Sequence, residues 1–141
     1  MKYYSLSVIF CCVTLLGFSQ KIKWENNYAK ALELTRNTDK MLLIYFVNGV
    51  DKEAERKINQ DIFKSDELKS LANDFIIYKI DTNTNSRDSR YNERLISSYN
   101  YNRVFPAIKV AVVPSYNAPE LFTKFDDAGI KLFFKTLKNL K

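Results

Sequence analysis

The sequence predicts an α/β domain in which helices pack on a mixed β-sheet, and three observations carry that prediction. Met41–Val47 is an unbroken apolar run of seven residues, as expected of a strand buried on both faces. Phe75–Ile80, interrupted only by Lys79, reads as a second buried strand, separated from the first by charged, amphipathic stretches long enough for helices. Ala107–Val113 and Leu121–Phe125 then flank the turn Pro114–Pro119 and read as a closing antiparallel hairpin.

The remaining elements follow in order. Trp24, Tyr28, Ala31, Leu32 and Thr35 recur at spacings of three and four, which predicts a first helix from Trp24 to about Asn37. Asn48-Gly49 breaks the strand that follows. Asp51 to about Asn59 is charged and glycine-free, with Ala54 and Ile58 four apart, and reads as a second helix capped by Asp51. Ser65 is placed to cap a short helix through Leu68, Leu71 and Ala72, with Asp66 and Glu67 in the first turn where the dipole favours them. Thr82–Ser89 holds no apolar residue and is a loop. Tyr91, Leu95, Ile96 and Tyr99 mark a helix with Ser89 as its cap, and Asn100–Arg103 form a turn. Ile130, Phe133, Phe134, Leu137 and Leu140 share one face of the last helix. The expected order is α-β-α-β-α-β-β-α, with four or five strands in the sheet.

The first segment reads as an address. Lys2 supplies a positive charge, and Leu6–Leu16 is apolar apart from Ser7 and Thr14. Gly17-Phe18-Ser19 then sets small residues at the minus-three and minus-one positions before Gln20, the pattern of a secretory signal peptide. A membrane span wants roughly 20 apolar residues, more than this run offers. Phe10, preceding Cys11, also disfavours a lipoprotein anchor at Cys11 or Cys12. The chain is therefore divided into a signal peptide, 1–19, and one domain, 20–141, exported to a periplasmic or extracellular space. Cleavage there would remove both cysteines and lower the net charge of +6 by one. Stability in that oxidising space would then rest on packing without a disulfide.

Composition excludes much chemistry. The chain has no histidine, and its two cysteines are adjacent. Ser–His and Cys–His nucleophile pairs cannot form, and a zinc site would have to be built from carboxylates. Hydrophobic residues make up 46% of the chain, enough for a real core.

The ordered set of local words resembles the thioredoxin-like family, in particular its secreted members. These are a Trp-led, alanine-containing helix (Trp24–Leu34), Lys40 before the strand that ends Tyr45-Phe46, and Ile62-Phe63 followed by Asp66-Glu67-Leu68. Phe75–Asp81 and Val104-Phe105-Pro106 complete the set, which spans nearly all of Trp24–Lys141. The resemblance implies a thioredoxin-like three-layer sandwich. It also implies a Cys-x-x-Cys pair at the start of the helix after the first strand, and here the sequence departs from the family. Counted from Phe46 the two positions fall on Asp51 and Ala54; counted from Ile58 they fall on Lys52 and Glu55. Without thiols no disulfide is exchanged there. The resemblance further implies a cis peptide bond before Pro106, whereas the residues alone also allow a plain proline at a strand start.

The expectation is an exported, non-catalytic binding or scaffolding protein that uses no cofactor, metal or nucleic acid and keeps no membrane span after cleavage. Its partner is a protein or an extended peptide. The candidate groove is Asn48, Gly49, Val50 and Asp51 with Phe105 and Pro106, where a strand-like partner adds by β-augmentation. The alternative is a thiol–disulfide oxidoreductase-related protein of the thioredoxin family, with a redox role implied by the fold or carried by Cys11 and Cys12 in a retained leader. Three further features have bland explanations. Arg87, Arg90, Arg94 and Arg103 suggest an anion patch, or a solvated face offset by Asp88 and Glu93. Glu53/Glu55 and Asp126/Asp127 suggest acid–base chemistry or calcium, or ordinary surface and capping roles. Tyr99, Tyr101 and Phe105 near the proline suggest partner anchors, with Tyr101 the more exposed.

Overall fold

The computed structural model describes residues 22–84, 88–112 and 118–140. The leader with Cys11 and Cys12, Arg87 and most of the expected turn Pro114–Pro119 lie outside the described residues. Strand β1 is Trp24–Glu25, β2 Met41–Val47, β3 Phe75–Asp81 and β4 Ala107–Ala111. The helices are α1 Tyr28–Thr38, α2 Lys52–Ile58, α3 Asp66–Leu71, α4 Ser89–Tyr99 and α5 Asp127–Asn139. A π-helical turn, Asn59–Phe63, continues α2, and a 3-10 turn, Ala72–Asp74, leads into β3.

The four strands form one sheet in the order β1-β3-β2-β4. β1, β3 and β2 run parallel, and β4 is antiparallel to β2, with Ala107 opposite Phe46 and Ala111 opposite Leu42. Because side chains alternate across a strand, β2 feeds two cores. Leu43, Tyr45 and Val47 pack with Ile58, Ile62 and Leu68 of the α2–α3 region and with Phe133 and Leu137 of α5. Leu42, Ile44 and Phe46 pack with Ala31 of α1 and Leu95 and Ile96 of α4. The sheet is thus covered on both faces, as the three-layer expectation requires.

Three expectations are corrected. Trp24 is not on the first helix but on β1, paired with Ile77. The four-residue step from Trp24 to Tyr28 imitates a helical one, but the helix starts after Asn27, whose Oδ1 accepts from the Lys30 N–H at 2.9 Å. Leu121–Phe125 does not form a strand. Only Phe122 bridges to β4, exchanging backbone hydrogen bonds of 2.9 and 2.8 Å with Ile108. Its apolar residues turn instead to the cores, Phe122 and Phe125 to one and Leu121 to the other. Ser89 does not cap α4; Asp88 occupies the cap position and accepts from the Tyr28 N–H at 3.0 Å, tying α4 to α1. Asp51 and Ser65 cap as expected, accepting from Ala54 N–H at 2.9 Å and Leu68 N–H at 3.1 Å.

Candidate functional site

The segment after β2 is shaped by polar side chains. Once the apolar run ends at Val47, Gly49 turns the backbone with φ +67°, a conformation that favours glycine. A Cβ added there would lie 2.5 Å from the Asn83 amide nitrogen, so that side chain would have to shift. Asn83 donates its side-chain N–H to the Asn48 carbonyl. The Gly49 N–H donates to Glu55 Oε1 at 2.8 Å, and the Val50 N–H donates to Asn48 Oδ1 at 3.1 Å. Asp51 completes the loop by capping α2, so carboxylates serve the first turn of this helix, where a redox protein sets a low-pKa thiol.

The connection from α4 to β4 is held by one buried amide. Asn100 donates its side-chain N–H to the Val104 carbonyl at 2.8 Å and accepts from the Val104 N–H at 2.9 Å. Its own carbonyl accepts from the Arg103 N–H at 2.8 Å, which closes the turn with Arg103 at φ +52°. The Phe105–Pro106 peptide bond is cis, as the resemblance implies. Since Ala107 lies across from Phe46, the register carries Phe105-Pro106 and Asn48-Gly49 to the same end of the sheet. Pro106 is buried, Phe105 is half-buried against the α1–α4 core, and Val50 is 81% exposed. Val104 and Tyr101 add exposed apolar surface to the same connection.

Sequence reasoning missed Asn100, Asn83 and the role of Glu55. An asparagine at the end of a helical pattern and the start of a turn was a usable signal for Asn100, but nothing local marks Asn83, which acts across a long sequence separation. Tyr45 is fully buried, and among the described residues its hydroxyl has no hydrogen-bond partner. Burial above all, then the negative charges of Glu55 and Asp81, drive its pKa far above the usual tyrosine range.

The other candidates resolve into structural roles. Arg103 pairs with Glu93 at 2.8 Å, and Arg94 lies over the exposed Tyr91 ring, 6.0 Å from its centre. Asp88 accepts from the Tyr28 N–H, and Glu93 offsets the arginine face at Arg103. Glu55 holds Gly49, Asp126 caps α5 through the Gly129 N–H, and Asp127 pairs with Lys57 at 3.2 Å. Tyr99 is half-buried with the Lys109 ammonium 5.8 Å above its ring, whereas Tyr101 is 76% exposed.

No protein-family model matches the sequence, and no curated protein matches it. Solved structures do match the fold. One described as "DsbH Oxidoreductase" superposes with a TM-score of 0.66 at 21% identity, over 86% of this chain and 87% of the other. A thioredoxin from Thermus thermophilus gives 0.62 at 17% identity, over 85% and 87%. A disulphide isomerase from Xylella fastidiosa gives 0.56 at 21%, over 78% and 87%. With the three-layer topology and the antiparallel strand that follows Pro106, these likenesses give the chain the thioredoxin fold.

Proposed function

We propose that this chain is related to thiol–disulfide oxidoreductases, and that its loop after β2 now binds an extended peptide instead of exchanging disulfides. The fold likeness to an oxidoreductase and a disulphide isomerase supports the first half of that reading more than the second. One observation carries the second half. At the N-terminus of α2 the capping group is the Asp51 carboxylate, the next loop contact is the Glu55 carboxylate, and the chain's two cysteines lie at positions 11 and 12. A carboxylate neither attacks a disulfide nor forms one, so the covalent step has no group at this loop. What the loop does offer is shape: a braced backbone at Gly49 with Val50, Val104 and Phe105 as apolar contacts around it.

Export to a periplasmic or extracellular space belongs to the same proposal, resting on the leader pattern; among the described residues no helix is long and apolar enough to cross a membrane. The test is affinity capture with the full chain as bait against its Val50→Ser/Phe105→Leu variant. Loss of the captured partner from a folded variant supports the loop surface, because losing a central aromatic anchor costs ~2 kcal/mol or more. Undiminished capture contradicts it.

A second reading is favoured by the names of the similar structures: redox work by Cys11 and Cys12 with the leader retained. Vicinal thiols in an apolar run are poorly placed for exchange, since apolar burial raises a thiol's pKa. The intact mass of the exported protein separates the two, because loss of residues 1–19 removes both thiols.

A further inference from the structure

A groove at the opposite edge of the sheet carries a surface that the loop reading leaves unused. Trp24, the chain's sole tryptophan, stands on the edge strand β1 with 37% of its surface exposed. Its ring packs on Phe63 at 4.6 Å and on Tyr45 at 6.2 Å between centres. An open groove of about 980 Å³ runs between this aromatic floor and the outer side of α2 with its π turn.

Lys52, Arg56 and Lys64 line that wall. The first two are one helical turn apart. From Arg56 to Lys64, eight residues at ~100° each would overshoot two full turns by ~80° in an unbroken α-helix. The π turn at Asn59–Phe63 takes up an extra residue per turn and brings Lys64 back to the side of the other two. The three cations therefore form a stripe roughly 18 Å long at ~1.5 Å per residue. None of them is in an ion pair among the described residues, whereas Lys57 bridges Asp61 and Asp127 and Lys69 pairs with Asp66. Glu55, the carboxylate in the lining, is occupied by the Gly49 N–H.

We infer that this groove docks an extended acidic peptide segment, with carboxylates along the Lys52–Arg56–Lys64 stripe and an apolar side chain against Trp24. An extended chain of six residues covers ~20 Å at ~3.3 Å per residue, which matches the stripe. Unpaired cations beside a half-exposed indole complement carboxylates beside an apolar side chain, and the Gln60 amide on the same wall suits a peptide backbone. Single-stranded nucleic acid calls for several successive stacking platforms, and this groove exposes one ring. The groove adjoins the loop through Lys52 and Glu55, but its aromatic floor stands on β1, the outer strand opposite β4.

Trp24 reports the test directly. The full chain is titrated at low salt with the end-blocked peptide Glu-Phe-Glu-Asp-Phe-Glu, with its lysine-for-acid counterpart, and with an oligothymidylate. The acidic peptide is expected to change Trp24 emission saturably, and added salt to weaken it. The basic peptide is expected to leave the emission unchanged. Lys52→Glu/Arg56→Glu/Lys64→Glu is expected to weaken binding at least ~tenfold with unchanged circular dichroism, and Phe105→Leu to leave it intact. Should the triple variant misfold, Arg56→Gln alone is expected to weaken binding about threefold. The inference is overturned by an acidic peptide that leaves the emission unchanged, by equal affinity in a folded charge variant, or by tighter binding of the oligothymidylate.

Discussion

Two connections deliver side chains to the same end of the sheet, and they are held in different ways. The loop Asn48–Asp51 is braced from several directions: Glu55 on the Gly49 N–H, Asn83 on the Asn48 carbonyl and Asp51 on its own helix. The connection Asn100–Pro106 hangs on one buried amide, Asn100, which satisfies both backbone polar groups of Val104. Shared bracing spreads the cost of losing any one contact, whereas concentrated bracing puts it in one residue. The loop is therefore the tolerant half of the candidate site and the α4–β4 connection the brittle half.

That contrast can be broken by substitution, and the largest effect is expected at Asn100. Asn100→Ala removes both partners of the part-buried Val104 N–H and carbonyl, and at about 1–1.5 kcal/mol per hydrogen bond it should destabilise by roughly 2–3 kcal/mol in urea unfolding. Gly49→Ala comes next, at about 1–3 kcal/mol, because it combines a left-handed backbone with a clash against Asn83. Combining it with Asn83→Ala should relieve the clash part, so the double variant should lose less than the two single losses added together. Asp51→Ala should cost about 1 kcal/mol as a lost helix cap. Glu55→Gln should fall below ~1 kcal/mol, since its amide oxygen can still accept from Gly49. A loop variant costing more than Asn100→Ala would reverse the ranking.

A separate effect is one of pH. The Tyr78 hydroxyl donates to Asn92 at 2.7 Å, and its pKa is pushed up to about 12 by burial, then by the negative charge of Asp88, then by Tyr28. A raised pKa means the folded state favours the protonated phenol. Its contribution is intact below the unfolded value of about 10 and is lost as pH climbs from there toward 12. Urea midpoints should fall over that window, and Tyr78→Phe should flatten the fall.

Much of the fold was legible because β2 and β3 are apolar on both faces, and that pattern suits little besides strands under helices. Asp51, Ser65 and the Phe133–Leu137 face were legible for similarly local reasons: a cap and a period. Trp24 was misread because a strand followed by a capped helix set it four residues before Tyr28, mimicking a helical step. Leu121–Phe125 was misread because an apolar segment that covers the cores looks like a strand until its ladder is counted. The bracing of the site was the least legible. Asn83 reaches Asn48, and Asp88 reaches Tyr28, across long sequence separations that periodicity does not record.

The central proposal is that the chain binds without exchanging disulfides, and insulin reduction tests it most directly. With dithiothreitol as electron donor, the full chain and its Cys11→Ser/Cys12→Ser variant are each compared with dithiothreitol alone. The account predicts three superimposable turbidity curves. A clear acceleration by the full chain that disappears in the double serine variant would contradict it, and would move the function to the leader cysteines.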